Sequence, residues 1–162
     1  MIGNIKIIAV CMCKVYDERN YRIIRALNNF AVENDYRLFV YHTCSDLYWK
    51  TLSEKGEQSV FDLIDYNITD AVVTFEEGVY AENVMTKIRM DAAKYGKPVI
   101  SVGVEHDDCI SIKFGYAKGF EQVVRHVIEQ HGVRDIGFIA GRKDEENSEE
   151  RIAVFRKLLE GV

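Results

Sequence analysis

The chain carries a single proline in 162 residues, and its longest unbroken apolar run, residues 7–13, is only seven residues long between Lys6 and Lys14. A helix that spans a bilayer needs about 20 apolar residues, so this run reads as neither a membrane span nor a signal peptide. Lys and Arg number 21 against 26 Asp and Glu, a net charge of −5. That balance leaves no clustered positive charge to neutralise phosphates, and no nucleic-acid contact is expected of this chain itself. There is also no Cys-x-x-Cys pair, which excludes a zinc knuckle and a dithiol redox centre. The cysteines are Cys11, Cys13, Cys44 and Cys109. Cys11 and Cys13, two apart on a strand, point the same way and cannot readily bridge each other. They read as small buried groups kept reduced, as in a cytoplasm, where the chain is expected to reside.

Catalytic signatures are scarce as well. A dinucleotide loop would place glycines directly after the first strand, where Cys13-Lys14-Val15-Tyr16-Asp17 stands instead. No Walker loop and no Gly-x-Ser-x-Gly elbow occurs. The third strand ends Thr74-Phe75-Glu76-Glu77, without the aspartate of a phosphoacceptor. Cys11, Cys13 or Cys44 with His42 or His106 would make a thiol–imidazole pair, but on buried strands these residue types read first as packing groups. His126 and His131 lie five apart on a helix, which turns them about 140° from one another, so a shared metal is not expected. The sequence therefore predicts no catalytic residue, no metal site and no cofactor.

What is present is an alternation of two periodicities. Residues 5–13, 37–42, 71–75, 99–104, 109–112 and 136–140 read as strands, the first a continuous β-prone run buried on both faces. Helical spacing appears at 17–33, opened by Asp17 and Glu18, and at 57–66, 81–94, 115–131 and 148–160. Ile23, Ile24, Leu27, Phe30 and Ala31 are expected inward on the first helix. On the fourth the inward set is Phe120, Val123, Val124, Val127 and Ile128, with Gly132 as its terminator. Asn147 with Glu150 reads as a capping box for the last helix. Strands alternating with helices imply parallel βαβ units in a three-layer α/β/α fold, with ligands gathering at the carboxyl ends of the strands.

The order of these signals resembles the ligand-binding domain of LacI-type repressors, which has the two-lobed type I fold of periplasmic sugar-binding proteins. The stretches that carry it are residues 7–43, LIDYNITDAVVTF with Asp70 at the family's aspartate, KPVISVGV, GFEQVVRHVIEQHGVRDIGFIAG and EERIAVF. Together they cover essentially the whole chain. Lys113 stands where the family usually has aspartate, Val154 replaces a glycine before Phe155, and the loop 14–17 lacks the usual Asn-Pro-Phe. The resemblance implies a first lobe at 1–112 and the start of a second at 113–162, the chain being an N-terminal fragment of the fold. Met1 leads directly into the first strand, without the preceding DNA-binding helices of a repressor. That start, and text such as RHVIEQHG, also resemble the input halves of GGDEF diguanylate cyclases and of some AraC-type regulators.

A sensor of this kind implies a small polar ligand, sugar- or nucleoside-like, and no cofactor. Arg151 falls on the family's ligand-binding arginine, whose planar fork donates paired hydrogen bonds. Its alternative is an ion pair with Glu145, Glu146 or Glu150. Tyr16 and Asp17 would cover an apolar sugar face and accept hydroxyl donors, or else pack a loop and start a helix. Phe75 and Glu76 end the third strand as ligand contacts or as a solvated acidic turn. The strand at 136–140, short of neighbours, is expected to pair with a second copy and give a homodimer. Competing readings are a flavodoxin-like or small hydrolase-type enzyme, and a dimerisation scaffold with a degenerate site.

Overall fold

A computed structural model describes residues 5–143 and 145–160, and the chain separates into two compact units between Lys113 and Phe114. The first is built on β1 (Lys6–Cys13), α1 (Glu18–Glu33), β2 (Tyr36–Thr43), α2 (Leu52–Gln58), β3 (Ala71–Phe75), α3 (Glu82–Lys94), β4 (Val99–Val102) and β5 (Ile110–Ile112). The five strands form one parallel sheet in the order β2-β1-β3-β4-β5. This is the parallel α/β architecture that the alternation of signals predicts.

β1 owes its central place to its composition. Its side chains alternate between two apolar layers, so a strand with no polar face is satisfied only in the middle. Ala9, Cys11 and Cys13 face Phe61, Ile64, Met85 and Ile88, while Val10 and Met12 face the layer that includes Ile24 of α1. Asp70 fixes the register at the amino end, its amide donating to Ile7 O (2.8 Å) and its carboxylate accepting from Ile7 N (2.7 Å).

Several boundaries differ from expectation for identifiable reasons. The helix expected at 57–66 begins earlier, because Thr51 and Glu54 form a capping box that starts α2 at Leu52; the following Ser59–Leu63 is a 3-10 turn. Phe30 on α1 points outward, 59% exposed.

The second unit holds α4 (Tyr116–His131) and α5 (Glu146–Leu159). Gly132 ends α4 in the left-handed conformation (φ 63°), its amide donating to Ile128 O, as the sequence predicts. Val123, expected inward, is 61% exposed. The strand expected at 136–140 does not form. A strand exists only through ladder bonds to a neighbour, and no strand is found among the described residues of this unit. Phe138 instead packs its ring between Phe120 of α4 and Phe155 of α5, and Ile139 is left exposed. The pairing edge on which a homodimer was expected is therefore missing. α5 starts two residues before the expected position, with Glu145 rather than Asn147 as its cap residue. Ser148 is fully buried there and donates to the Glu145 carboxylate at 2.5 Å.

Candidate functional site at the carboxyl edge of the sheet

The loops that follow β1 to β4 leave the same edge of the sheet, and ionic and polar bonds hold them together. Lys14 leaves β1 with positive φ (48°), its amide donating to Thr43 O and its ammonium paired to Asp46 at 3.0 Å. Burial disfavours the charge on Asp46, but the Lys14 hydrogen bond and charge outweigh it and hold the carboxyl below its ordinary pKa. Asn20 on α1 closes the turn by donating to the carbonyls of Cys13 and Lys14.

Tyr16 is exposed, yet its hydroxyl is pinned, donating to Cys44 O at 2.8 Å. Asp17 is the cap residue of α1, but its side chain makes no capping bond, so the carboxylate remains on the exposed surface. Arg19, the second residue of α1, pairs with Glu77 beyond β3 at 2.6 Å.

The β2–α2 loop is firmly built. Glu57 accepts from the amides of Cys44 and Ser45, and buried Glu54 accepts from those of Trp49 and Thr51. Leu47 sits fully buried at φ 63°. The result raises an aromatic group at the edge: Tyr48 meets Trp49 and Tyr80 edge-on, with centroids 4.6 and 5.4 Å away, and Trp49 is 76% exposed.

Glu76 departs most from the sequence reading. It is no solvated acidic turn but 7% exposed, and every acceptor position of its carboxylate is engaged. Oε1 accepts from Thr74 and Arg89 at 2.8 Å, and Oε2 from Arg89 and from His106 Nε2, both at 2.9 Å. His106 therefore carries its proton on Nε2. Arg89, on α3 and also 7% exposed, lies 3.6 Å through Nε from Asp108. No local pattern paired Arg89 or His106 with Glu76, which lies 13 and 30 residues away from them in the chain. Phe75 beside them is half-buried in the apolar layer that contains Val10 and Met12. Gly103 turns at φ 102° against Glu77, where a Cβ would come within 2.5 Å of the Glu77 Cβ, so only glycine fits.

Tyr16, Asp17, Phe75 and Glu76 all lie on the first unit, the first two in the loop after β1 and the others at the end of the adjacent β3. Arg151 belongs to α5 of the second unit, where its Nε donates to Asn147 O at 2.9 Å. Burial pushes the Cys11 thiol up beyond the ordinary range and that of Cys13 up to about 11, which removes both as nucleophiles near neutral pH. Among the described residues no helix is long and apolar enough to cross a membrane.

No protein-family model and no curated protein sequence matches the chain. Solved structures match its fold. The transcription regulator CcpA of Lactococcus lactis superposes with a TM-score of 0.68 at 21% identity, over 96% of this chain and 54% of that one. A periplasmic binding protein/LacI transcriptional regulator of Alkaliphilus metalliredigens, complexed with D-xylulofuranose, gives 0.66 at 18%, over 96% and 53%. The lac repressor dimer bound to operator and an anti-inducer gives 0.64 at 14%, over 96% and 51%. The likeness is one of fold, and the chain spans about half the length of these regulators.

Proposed function

We propose that the chain is a ligand-sensing region of a bacterial regulatory protein, the first lobe and the start of the second of a periplasmic-binding-protein-like domain that binds without catalysis. The observation that carries this reading is the carboxyl edge of the sheet, where the pairs Lys14–Asp46, Arg19–Glu77 and Glu76–Arg89 brace the loops and the loop after β1 presents the exposed Tyr16 ring and Asp17 carboxylate. Parallel α/β sheets bind small molecules at that edge. A small polar ligand, sugar- or nucleoside-like, suits an aromatic face beside a hydroxyl-accepting carboxylate; Arg151, on the second unit, is proposed as a ligand-binding residue on the family resemblance alone. Phe75 would close the apolar floor. Glu76, its acceptors occupied, acts by fixing His106 rather than by touching ligand.

In the whole protein, closure of two such lobes would shift an attached output through differential affinity for the closed state. A cytoplasmic location and a homodimer belong to the same proposal. Among outputs, a DNA-binding module accords with the regulators named above, whereas a GGDEF cyclase rests on sequence resemblance alone. Thermal-shift measurements with sugars and nucleosides test the reading. Stabilisation by at least one compound, removed by Tyr16→Ala and by Arg151→Ala, supports it; stabilisation untouched by both substitutions refutes the site. A second reading, a dimerisation scaffold, draws on Phe30 and Phe39, exposed at 59% and 43% on α1 and β2. It requires a dimer in light scattering that Phe39→Glu dissolves.

A further inference from the structure

The histidines expected to point apart do not. His126 and His131 on α4 bring their Nε2 atoms to 3.2 Å, with ring centroids 4.9 Å apart and planes at 77°. Side chains on a helix lean toward its amino end, so the ring of the last helical residue reaches back over the final turn. Gly132, by ending the helix at His131, leaves that ring clear of a following turn. Both residues are exposed.

From this geometry we infer a two-histidine site for a divalent transition-metal ion of the zinc–nickel–copper class. Imidazole suits these ions, with metal–nitrogen distances of about 2.0–2.1 Å. Two nitrogens 3.2 Å apart satisfy such bonds to one ion at an N–metal–N angle of roughly 100°, near tetrahedral. Without metal, one Nε2–H donates to the other Nε2; on metal binding the donor ring shifts that proton to its Nδ1 by exchange with water, and both Nε2 lone pairs go to the ion. No group of three or more His, Cys, Asp or Glu is placed to hold a metal among the described residues, so the remaining positions are filled by water. Beside the pair on α4, Arg125 bonds Glu121 at 2.9 Å and lies 3.7 Å from Glu129.

The test is calorimetric titration of the 162-residue chain with zinc chloride, and separately nickel chloride, in a Cys44→Ser background that removes the exposed thiol. One ion per chain is expected, weakened roughly 100-fold by either His126→Ala or His131→Ala, because losing one imidazole removes the chelate advantage. Both substitutions lie on the surface, and metal-free melting curves should match the parent. Absence of one-to-one binding overturns the inference, as does binding that survives both substitutions.

Discussion

The two units fold to different degrees of enclosure. In the first, β1 is flanked on both sides by strands and on both faces by apolar layers, so Ala9, Val10, Cys11 and Met12 are at most 1% exposed. In the second, two helices share an aromatic contact, and Val124, Ile128 and Ser148 are its buried residues among those described. A sheet closes its own hydrogen bonds and offers two faces for burial. A helix pair offers one seam, and a lone segment between the helices has no ladder to join.

The largest break in this contrast should come from charge inside the first unit. Arg89→Leu leaves the Glu76 carboxylate buried without its main partner and should cost about 3–5 kcal/mol, read from urea midpoints. Pairing it with Glu76→Gln should restore much of the loss; no restoration would mean that the two residues are not coupled. Cavity formation comes next: Met85→Ala should cost about 2–5 kcal/mol, while Ile128→Ala in the second unit falls at or below the lower end of that range. Equal losses would erase the distinction between the units. Gly132→Ala should cost about 1 kcal/mol by forcing a side chain into positive φ, and should shorten helix protection in hydrogen exchange at the end of α4.

The smallest effect is electrostatic. Asp46 has a lowered pKa, so its contribution is present above the unfolded carboxylate value and fades as pH falls through the folded one. Lys14 has a raised pKa, chiefly through its hydrogen bond to Asp46, so its share is complete below the unfolded lysine value and disappears as pH rises through the folded one. Between those limits Asp46→Asn should lower stability by no more than about 1 kcal/mol, and salt should shrink the difference. A loss that persists in high salt would point to loop geometry instead.

How much was legible in the chain follows the range of the forces involved. β1 is readable because seven consecutive apolar residues admit few other fates, and the end of α4 because Gly132 is a local signal. Thr51 and Glu54, a capping pair three residues apart, were readable too, and would have placed α2 correctly. Residues 136–140 have a strand's alternation, with Ile136 and Phe138 half-buried, but pairing depends on neighbours that local pattern does not contain. The Glu76 network is the limiting case. Thr74, Arg89 and His106 come from a strand, a helix and a loop, and only the folded topology makes them adjacent. The histidine pair fails differently: backbone rotation alone places the rings apart, and side-chain lean brings them together.

Trp49 is the only tryptophan in the sequence, and it stands in solvent on a loop whose backbone is tied to Glu54. The molecule thus carries an intrinsic fluorophore at the rim of its proposed binding surface. With that exposure its emission should resemble that of an indole in water, so denaturation should change the colour little, whereas a solute settling beside Tyr48 and Tyr80 should shift it toward the blue.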